Sequence, residues 1–445
     1  MKMICWIRSD FRFDDNAMFA RAAELLVPGD EVEFVFWLNP GYIGEYEARQ
    51  CYFFQALEHF YKKSEANGMP IRVISGEEDE FLEGISGADL LLFNAEYVEP
   101  FKSRDDAIIR KTSVKTERLL DRHLLHPHAV KKKDGSYYKV FTPYRKAFLQ
   151  MEIGSVRWTD IDKLKEHYRS TDGADVERYF KQASEQAYEA GEETALKRLD
   201  EFVKRHLEKY DEARDFPAID GTSRLSHHLR TGEIGIRTVY ERIRQVDGKG
   251  RDVFLTELIW REFYHMILVQ YPESKNQAVQ REYRDIDWEE DETAFEAWCE
   301  GKTGFPIVDA AMRQLNETGW MHNRLRMITA SFLAKDLLID WRKGERYFQR
   351  KLIDYEAASN IGGWQWAASV GTDAVPYFRV FNPTTQSKRF DASGDFIRKF
   401  VPELAELDNK RIHEPSLADR ERCGYPEQIV DHAMARDRAI ARFKE

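Results

Sequence analysis

The chain has 445 residues, of which 42% are hydrophobic, and a net charge of −11 from 67 Lys and Arg against 78 Asp and Glu. That length is too great for one small domain and fits two or three, with enough apolar side chains for real cores. A mean hydropathy of −0.61 with no long uncharged apolar run argues against a membrane span, and the apolar stretch in Met1–Arg8 is too short for a signal peptide. Cys5, Cys51, Cys299 and Cys423 show neither CxxC nor zinc spacing, so no metal site or disulfide framework is expected and a reducing cytoplasm fits. The acidic balance disfavours a general nucleic-acid binder. A local basic stretch such as 313–351 can still hold phosphates on an acidic protein.

Four short apolar runs open the chain: MICWIR (3–8), VEFVFWL (32–38), IRVIS (71–75) and DLLLFNA (89–95). Each is bounded by Gly, Pro or Asp and reads as a buried strand. Helical patterns lie between them, notably 45–66, stopped by Asn67-Gly68 and Pro70. Strand–helix alternation predicts a parallel sheet covered on both faces. No GxGxxG follows the first strand, so the usual dinucleotide fingerprint is absent. Residues 131–195 are polar and read as a linker with some short helix. From about 196 onward the pattern is helical nearly throughout.

The chemistry-bearing stretches follow in order. DGTSRLS (220–226) reads as a helix start, with Asp220 and Thr222 as N-caps. Such an end can hold a phosphate on its free N–H groups, although an ordinary cap is the plainer reading of that segment alone. In TELIWREFYH (256–265), Glu257, Trp260, Arg261 and Tyr264 share one helix face. Two charges among two aromatics suit a cavity that stacks on and hydrogen-bonds a heterocycle. The plainer reading is an i,i+4 ion pair on a core helix.

In GWMHNRLRMITASF (319–332), a helix beginning near 322 puts Asn323, Arg326, Met327 and Ala330 on one face and Leu325, Ile328 and Phe332 on another. Asn offers a donor and an acceptor to a base edge, and Met a soft contact. Residues 352–386 add Asp354, Glu356, Asn360, the Gly362-Gly363 pair and Trp364-Gln365-Trp366. Asp354 is placed to pair with Arg326, and the glycines permit close approach to a ligand. Arg379, Lys388 and Arg389 follow. Seven of the ten tryptophans lie between 260 and 366, a density that a plain aromatic core or a set of stacking and electron-passing rings would each explain.

WMHNRLRM, LLIDWRKGERYF, GGWQWAASVGTDA and FNPTTQ, with TSRLS, ELIWREFY and the N-terminal IRSDFRFDDNAM, resemble the photolyase/cryptochrome flavoproteins from end to end. The likeness is strongest to the bacterial class I cyclobutane pyrimidine dimer photolyases. It implies a Rossmann-like α/β antenna domain (1–130), an interdomain linker (131–195) and an all-helical FAD-binding domain (196–445). It implies that Tyr210 and Thr222, Ser223, Arg224, Leu225 and Ser226 hold the FAD phosphates. Arg261, Trp320, Arg326, Asp354 and Glu356 would line the flavin region, with Asn360 facing its reactive edge. Glu257, Asn323 and Met327 would contact a flipped-out dimer between Trp260 and Trp366. Trp364, Trp341 and Trp288 would form an electron relay, while Trp298 stays closer to a core role. Arg214, Arg324, Arg379, Lys388 and Arg389 would meet the DNA backbone.

The implied activity is light-driven splitting of pyrimidine dimers in DNA by an electron from excited reduced FAD, in a monomer without a metal. The alternative is a cryptochrome-type light receptor. It is disfavoured because the dimer-contacting set is complete and no long tail follows the region of resemblance. The chain departs from the family at Glu356, where Asp is usual, and at Phe254, where Trp occurs. Pro100-Phe101 replaces an Asn-Glu pair that contacts folate in relatives. An antenna pigment is therefore open between folate, 8-hydroxy-deazaflavin, a flavin and none.

Overall fold

The computed structural model describes residues 1–44, 47–184 and 186–444. They form two compact units. The first comprises Met1–Tyr138, Pro143–Glu208 and Ser223–Val269; the second comprises Lys139–Thr142, Lys209–Thr222 and Gln270–Glu445.

The first unit is built on a five-stranded parallel sheet of order β3-β2-β1-β4-β5. β1 (Lys2–Ile7), β2 (Glu31–Leu38), β3 (Arg72–Ser75) and β4 (Leu90–Asn94) coincide with the four apolar runs to within a residue or so. In register, Met3 lies between Val32 and Leu90. A strand buried on both faces is apolar along most of its length, which is why β1, β2 and β4 were visible; β3, the edge opposite β5, still buries Val73 and Ile74. β5 (Lys115–Leu119, KTERL) was not foreseen. It is an edge strand whose side chains are exposed or half-buried, so its composition carries no burial signal.

Helices Ala17–Leu25, Ala48–Ala66, Glu78–Ile85 and Phe101–Lys111 alternate with the strands. Positions 45 and 46, where the second of these was expected to begin, lie outside the described residues. Trp6 is fully buried, with its ring 4.6 Å from Phe81, 5.2 Å from Phe93 and 6.0 Å from Trp37. The polar stretch after the sheet holds the short helices Ile161–His167 and Glu177–Ala183. It is tied to β2: Tyr168 bridges Val32, and Thr171 donates from N and Oγ1 to Glu33 at 3.0 and 2.8 Å.

The second unit is helical. Its helices include Asn323–Ser331, Trp341–Lys351, Ala357–Ala367, Pro383–Phe390 and His432–Arg442. Its core centres on Trp298, fully buried between Phe295 and Phe348 and edge-on to Trp364 at 6.0 Å. Its indole N–H reaches the Thr329 carbonyl at 3.1 Å, which satisfies the one polar atom that burial would otherwise strand. Gly344 is required here: a Cβ would fall 2.1 Å from the Trp364 ring. The Trp341–Lys351 helix therefore rests directly on that indole.

After Ser331 the helix widens into a π turn, Phe332–Asp336. Lys335 and Asp336, both fully buried, end it. The Lys335 ammonium donates to the Arg379 carbonyl at 3.1 Å. Burial lowers the Lys335 amine to about 7 and raises the Asp336 carboxyl to about 6. Below pH 7 the buried charge of Lys335 costs stability in full. From about 7 to the ordinary 10.5 the unfolded chain holds the extra proton, so the penalty fades as pH rises. Lys335→Met should therefore raise the unfolding free energy most at pH 6, by ~1–3 kcal/mol. The gain should shrink steadily towards pH 10, and calorimetry across that range would refute the assignment if the gain were flat. Gly344→Ala should lower unfolding free energy by ~1–3 kcal/mol through overpacking against Trp364, read from denaturant midpoints.

Candidate cofactor and substrate site

In the first unit no residue of the helix Lys249–Gln270 beyond Asp252 is exposed. Leu258, Ile259, Phe263 and Met266 are buried, whereas Glu257, Trp260, Arg261 and Tyr264 stay half-buried on the shared face. Trp260 and Tyr264 lie 5.5 Å apart with planes at 30°. Arg261 donates from Nη1 to the Arg122 carbonyl at 2.9 Å. Beneath it lies Glu262, a carboxylate not singled out from sequence. It is buried 3.5 Å from His123 Nδ1 and accepts from Leu124 N. Burial would raise Glu262, but the adjoining His123 and the Arg261 guanidinium outweigh it and hold the carboxyl low. Phe254 is buried against Phe202 at 4.8 Å.

The segment 220–226 differs from the expectation. The helix starts only at Ser226, Leu225 occupies the cap position without a side-chain bond, and Arg224 takes a left-handed φ of 50°. Asp220 and Thr222 precede that turn and do not cap the helix. The hydroxyl of Ser223 instead accepts from Leu225 N at 3.4 Å, a local turn bond that competes with helix initiation. Thr222 and Ser223 are half-buried, and Arg224 and Ser226 are exposed.

At the carboxyl edge of the sheet, Arg8 donates to Asp105 at 2.6 Å, and its guanidinium lies 4.9 Å from both the Trp6 and Phe93 rings. Arg104 shares Asp105 at 2.8 Å. Burial pushes the Glu96 carboxyl up, but Arg122, Arg8, Arg230 and Arg104 hold it at about 2. The helix after β4 begins at Phe101 with Pro100 at its cap and no side-chain cap bond.

In the second unit the helix Asn323–Ser331 is capped by His322, whose Nδ1 accepts from Arg324 N at 3.2 Å. Leu325 and Ile328 are buried, Asn323 is exposed, and Arg326 and Met327 are half-buried. Asn323 Nδ2 lies 4.0 Å from Met327 Sδ, so the two form one rung on the open face. Arg326 donates from Nη2 to Asp354 Oδ2 at 2.7 Å and from Nε to the Met321 carbonyl at 2.9 Å. Asp354 is buried, and its Oδ1 has no hydrogen-bond partner among the described residues.

Glu356 sits at the cap of the Ala357–Ala367 helix and accepts from Ser359 at 3.0 Å. Asn360 donates from Nδ2 to Glu345 Oε1 at 3.1 Å. Glu345, buried and also bonded by Tyr355 OH at 3.1 Å, was not foreseen; burial raises its carboxyl. Because carboxylate and carbonyl oxygens take the amide nitrogen, the Asn360 oxygen is the end left to accept. One turn on, Gly363 has nothing within 4 Å of where a Cβ would sit.

Trp320 is half-buried and edge-on to His322 at 6.3 Å. Trp341 and Trp364 are buried, whereas Trp288 and Trp366 are half-buried. Tyr210 is buried beneath the Arg214 guanidinium, 5.5 Å from its ring. Arg324 pairs with Asp215 at 2.7 Å and lies 4.4 Å over Phe390, so its charge is engaged within the unit. Arg379, Lys388 and Arg389 are exposed. Among the described residues no group of three or more His, Cys, Asp or Glu side chains is disposed to hold a metal ion, and no helix is long and apolar enough to cross a membrane.

Two family descriptions match the chain: DNA photolyase over residues 3–162, and the FAD binding domain of DNA photolyase over residues 254–445. A deoxyribodipyrimidine photo-lyase of Alkalihalophilus pseudofirmus is 42% identical across 99% of this chain and 97% of its own length. The enzyme of that name from Escherichia coli is 38% identical across 99% and 98%. The crystal structure of a class III photolyase from Agrobacterium tumefaciens superposes with a TM-score of 0.90 at 34% identity, covering 100% of this chain and 97% of that one. An archaeal photolyase from Sulfolobus tokodaii, solved with two FAD molecules, gives 0.88 at 29% identity over 100% of both chains. With relatives this similar matched over nearly their whole length, the chain belongs to the DNA photolyase family.

Proposed function

We propose that this protein splits cyclobutane pyrimidine dimers in DNA with light, using FAD as its resident cofactor. The observation that carries the reading is the cluster Arg326, Asp354 and Asn360 beside the Asn323–Met327 rung. It fits the cofactor. Asp354 Oδ1 is a buried acceptor awaiting a donor, the Asn360 oxygen is a second acceptor, and Gly363 leaves open space on the same helix. A flat heterocycle with N–H donors answers all three. When bound and reduced, FAD supplies the electron that light promotes.

The chain's own residues bind, orient and screen. Arg261, Trp320, Arg326, Asp354, Glu356 and Asn360 line the flavin, and Tyr210 with Thr222–Ser226 holds the phosphates. The left-handed turn at Arg224, with exposed Ser226 opening the helix after it, suits an anion. Glu345 fixes which end of the Asn360 amide is presented. Glu257, Asn323 and Met327 meet the dimer between the faces of Trp260 and Trp366. Glu257 hydrogen-bonds imide and carbonyl groups where negative charge builds as the two ring bonds part.

Photolyases as a class take the target base out of the stack, at a cost of about a few kcal/mol that is least for a damaged pair. Arg379, Lys388 and Arg389 neutralise backbone phosphates, while Arg214 and Arg324 support that surface from within. Trp288, Trp341 and Trp364 deliver electrons inward. On this reading the protein works as a monomer in the cytoplasm, which agrees with four cysteines without a disulfide.

Three outcomes test the reading. Reduced, FAD-loaded protein under blue light should restore the ultraviolet absorbance that dimer-containing DNA has lost; no recovery with FAD fully loaded would sink it. Trp364→Phe should slow light-driven flavin reduction far more than it slows repair by pre-reduced enzyme, and an equal loss in both assays would show that the ring is not a relay. Glu257→Ala should lower the quantum yield of repair with FAD retained in the spectrum, whereas loss of FAD would make it a cofactor ligand.

A further inference from the structure

Of the three relay rings, Trp341 and Trp364 are buried in regular helices, but Trp288 is half-buried in a segment whose only regular piece is the single turn Arg281–Tyr283. Its position has to be held from outside. The last described helix does this. Arg442, at the end of His432–Arg442, donates from Nη1 to the Asp287 carbonyl and lies 3.5 Å from Asp287 Oδ2. Its Nη2 donates to Glu289 Oε1 at 3.1 Å. One planar guanidinium thus grips the residues on both sides of Trp288. Phe443 then packs edge-on against the Trp288 ring at 6.1 Å and 82°. Phe443 itself is wedged between Tyr283 at 5.4 Å and Tyr377, stacked at 6.2 Å.

The same helix holds the next ring's approach. His432 bonds the Asp336 carboxylate, and Arg438 donates to the Asp336 carbonyl at 2.8 Å. Asp336 ends the π turn, and Leu338, Ile339 and Asp340 lead from it into the helix that Trp341 begins. Glu289 N donates to the Leu338 carbonyl at 2.8 Å in a parallel bridge. The backbone beside Trp288 is therefore bonded three residues before Trp341, and one helix clamps both segments.

We propose that Arg442 and Phe443 are positioning residues for electron entry, fixing the gap between Trp288 and Trp341. The inference rests on the relay reading above. Electron transfer between rings falls steeply with their separation, so a loosened outer ring slows delivery without touching the dimer or the flavin. Arginine is needed because its fork reaches Asp287 and Glu289 together, which a lysine's single ammonium does not.

The test uses the FAD-loaded full chain. Arg442→Ala and Phe443→Ala should each slow light-driven reduction of oxidised FAD several-fold, with the FAD spectrum and repair by chemically pre-reduced enzyme unchanged. Arg442→Lys should recover only part of the rate. A change of Trp288 fluorescence quenching by iodide should accompany the loss. Trp288→Phe is the control. If it abolishes photoreduction while the Arg442 and Phe443 variants run at the full rate, the clamp is wrong and the relay stands. If Trp288→Phe itself runs at the full rate, both fail. Should Arg442→Ala lose FAD, Arg442→Gln and Phe443→Leu carry the same comparison, and equal losses in photoreduction and pre-reduced repair would mark the helix as merely structural.

Discussion

The ion pair between Arg326 and Asp354 is the contact on which the second unit's functional face depends. It joins the helix Asn323–Ser331 to the short connection that launches Ala357–Ala367. One helix carries Asn323 and Met327; the other carries Asn360, Trp364 and Trp366. With Asp354 buried and Arg326 half-buried, the pair contributes little net stability because desolvation offsets much of the attraction, but removing Arg326 would strand the buried carboxylate at a cost of about a few kcal/mol. Its value is geometric. Arg326 is held a second time by the Met321 carbonyl, so the guanidinium plane cannot turn, and the carboxylate is left with one oxygen uncommitted.

The same economy recurs in the first unit. Glu262 with His123, and Asp105 with Arg8 and Arg104, are buried charges that set neighbours in place. Glu262 underlies the helix face of Glu257, Trp260 and Arg261, and its charge is kept by His123 and Arg261 against the pull of burial. Each such group lies one step behind a side chain with an open face, which is where positional accuracy has to come from.

What could be read from the sequence follows from range. The central strands β1, β2 and β4 announce themselves because burial on both faces leaves mostly apolar positions, and the spacing of Asn323, Arg326 and Met327 is a property of one helix. The Arg326–Asp354 pair was reachable because opposite charges stood on two stretches that each read as lining one site. β5 escaped because an edge strand needs no apolar pattern. Asp220 and Thr222 misled because capping residue types are also turn formers, and the left-handed turn at Arg224 leaves no trace in composition. Glu345 and Glu262 were invisible for a different reason. Their meaning lies in partners, Asn360 and His123, that only the folded chain brings near.

The indole nitrogen of Trp364 is buried and has no acceptor among the described residues. Gly344 lets a helix backbone close over the ring, leaving no room for water on that side. A ring so enclosed that gives up an electron has nowhere to send its proton. The positive charge must then be passed on or cancelled as it stands, which keeps the inner step reversible. On the proposed relay, a proton leaves more readily where the path meets water, at half-exposed Trp288. Packing around one indole would thus divide the path into an inner part that moves electrons alone and an outer end where charge separation becomes permanent.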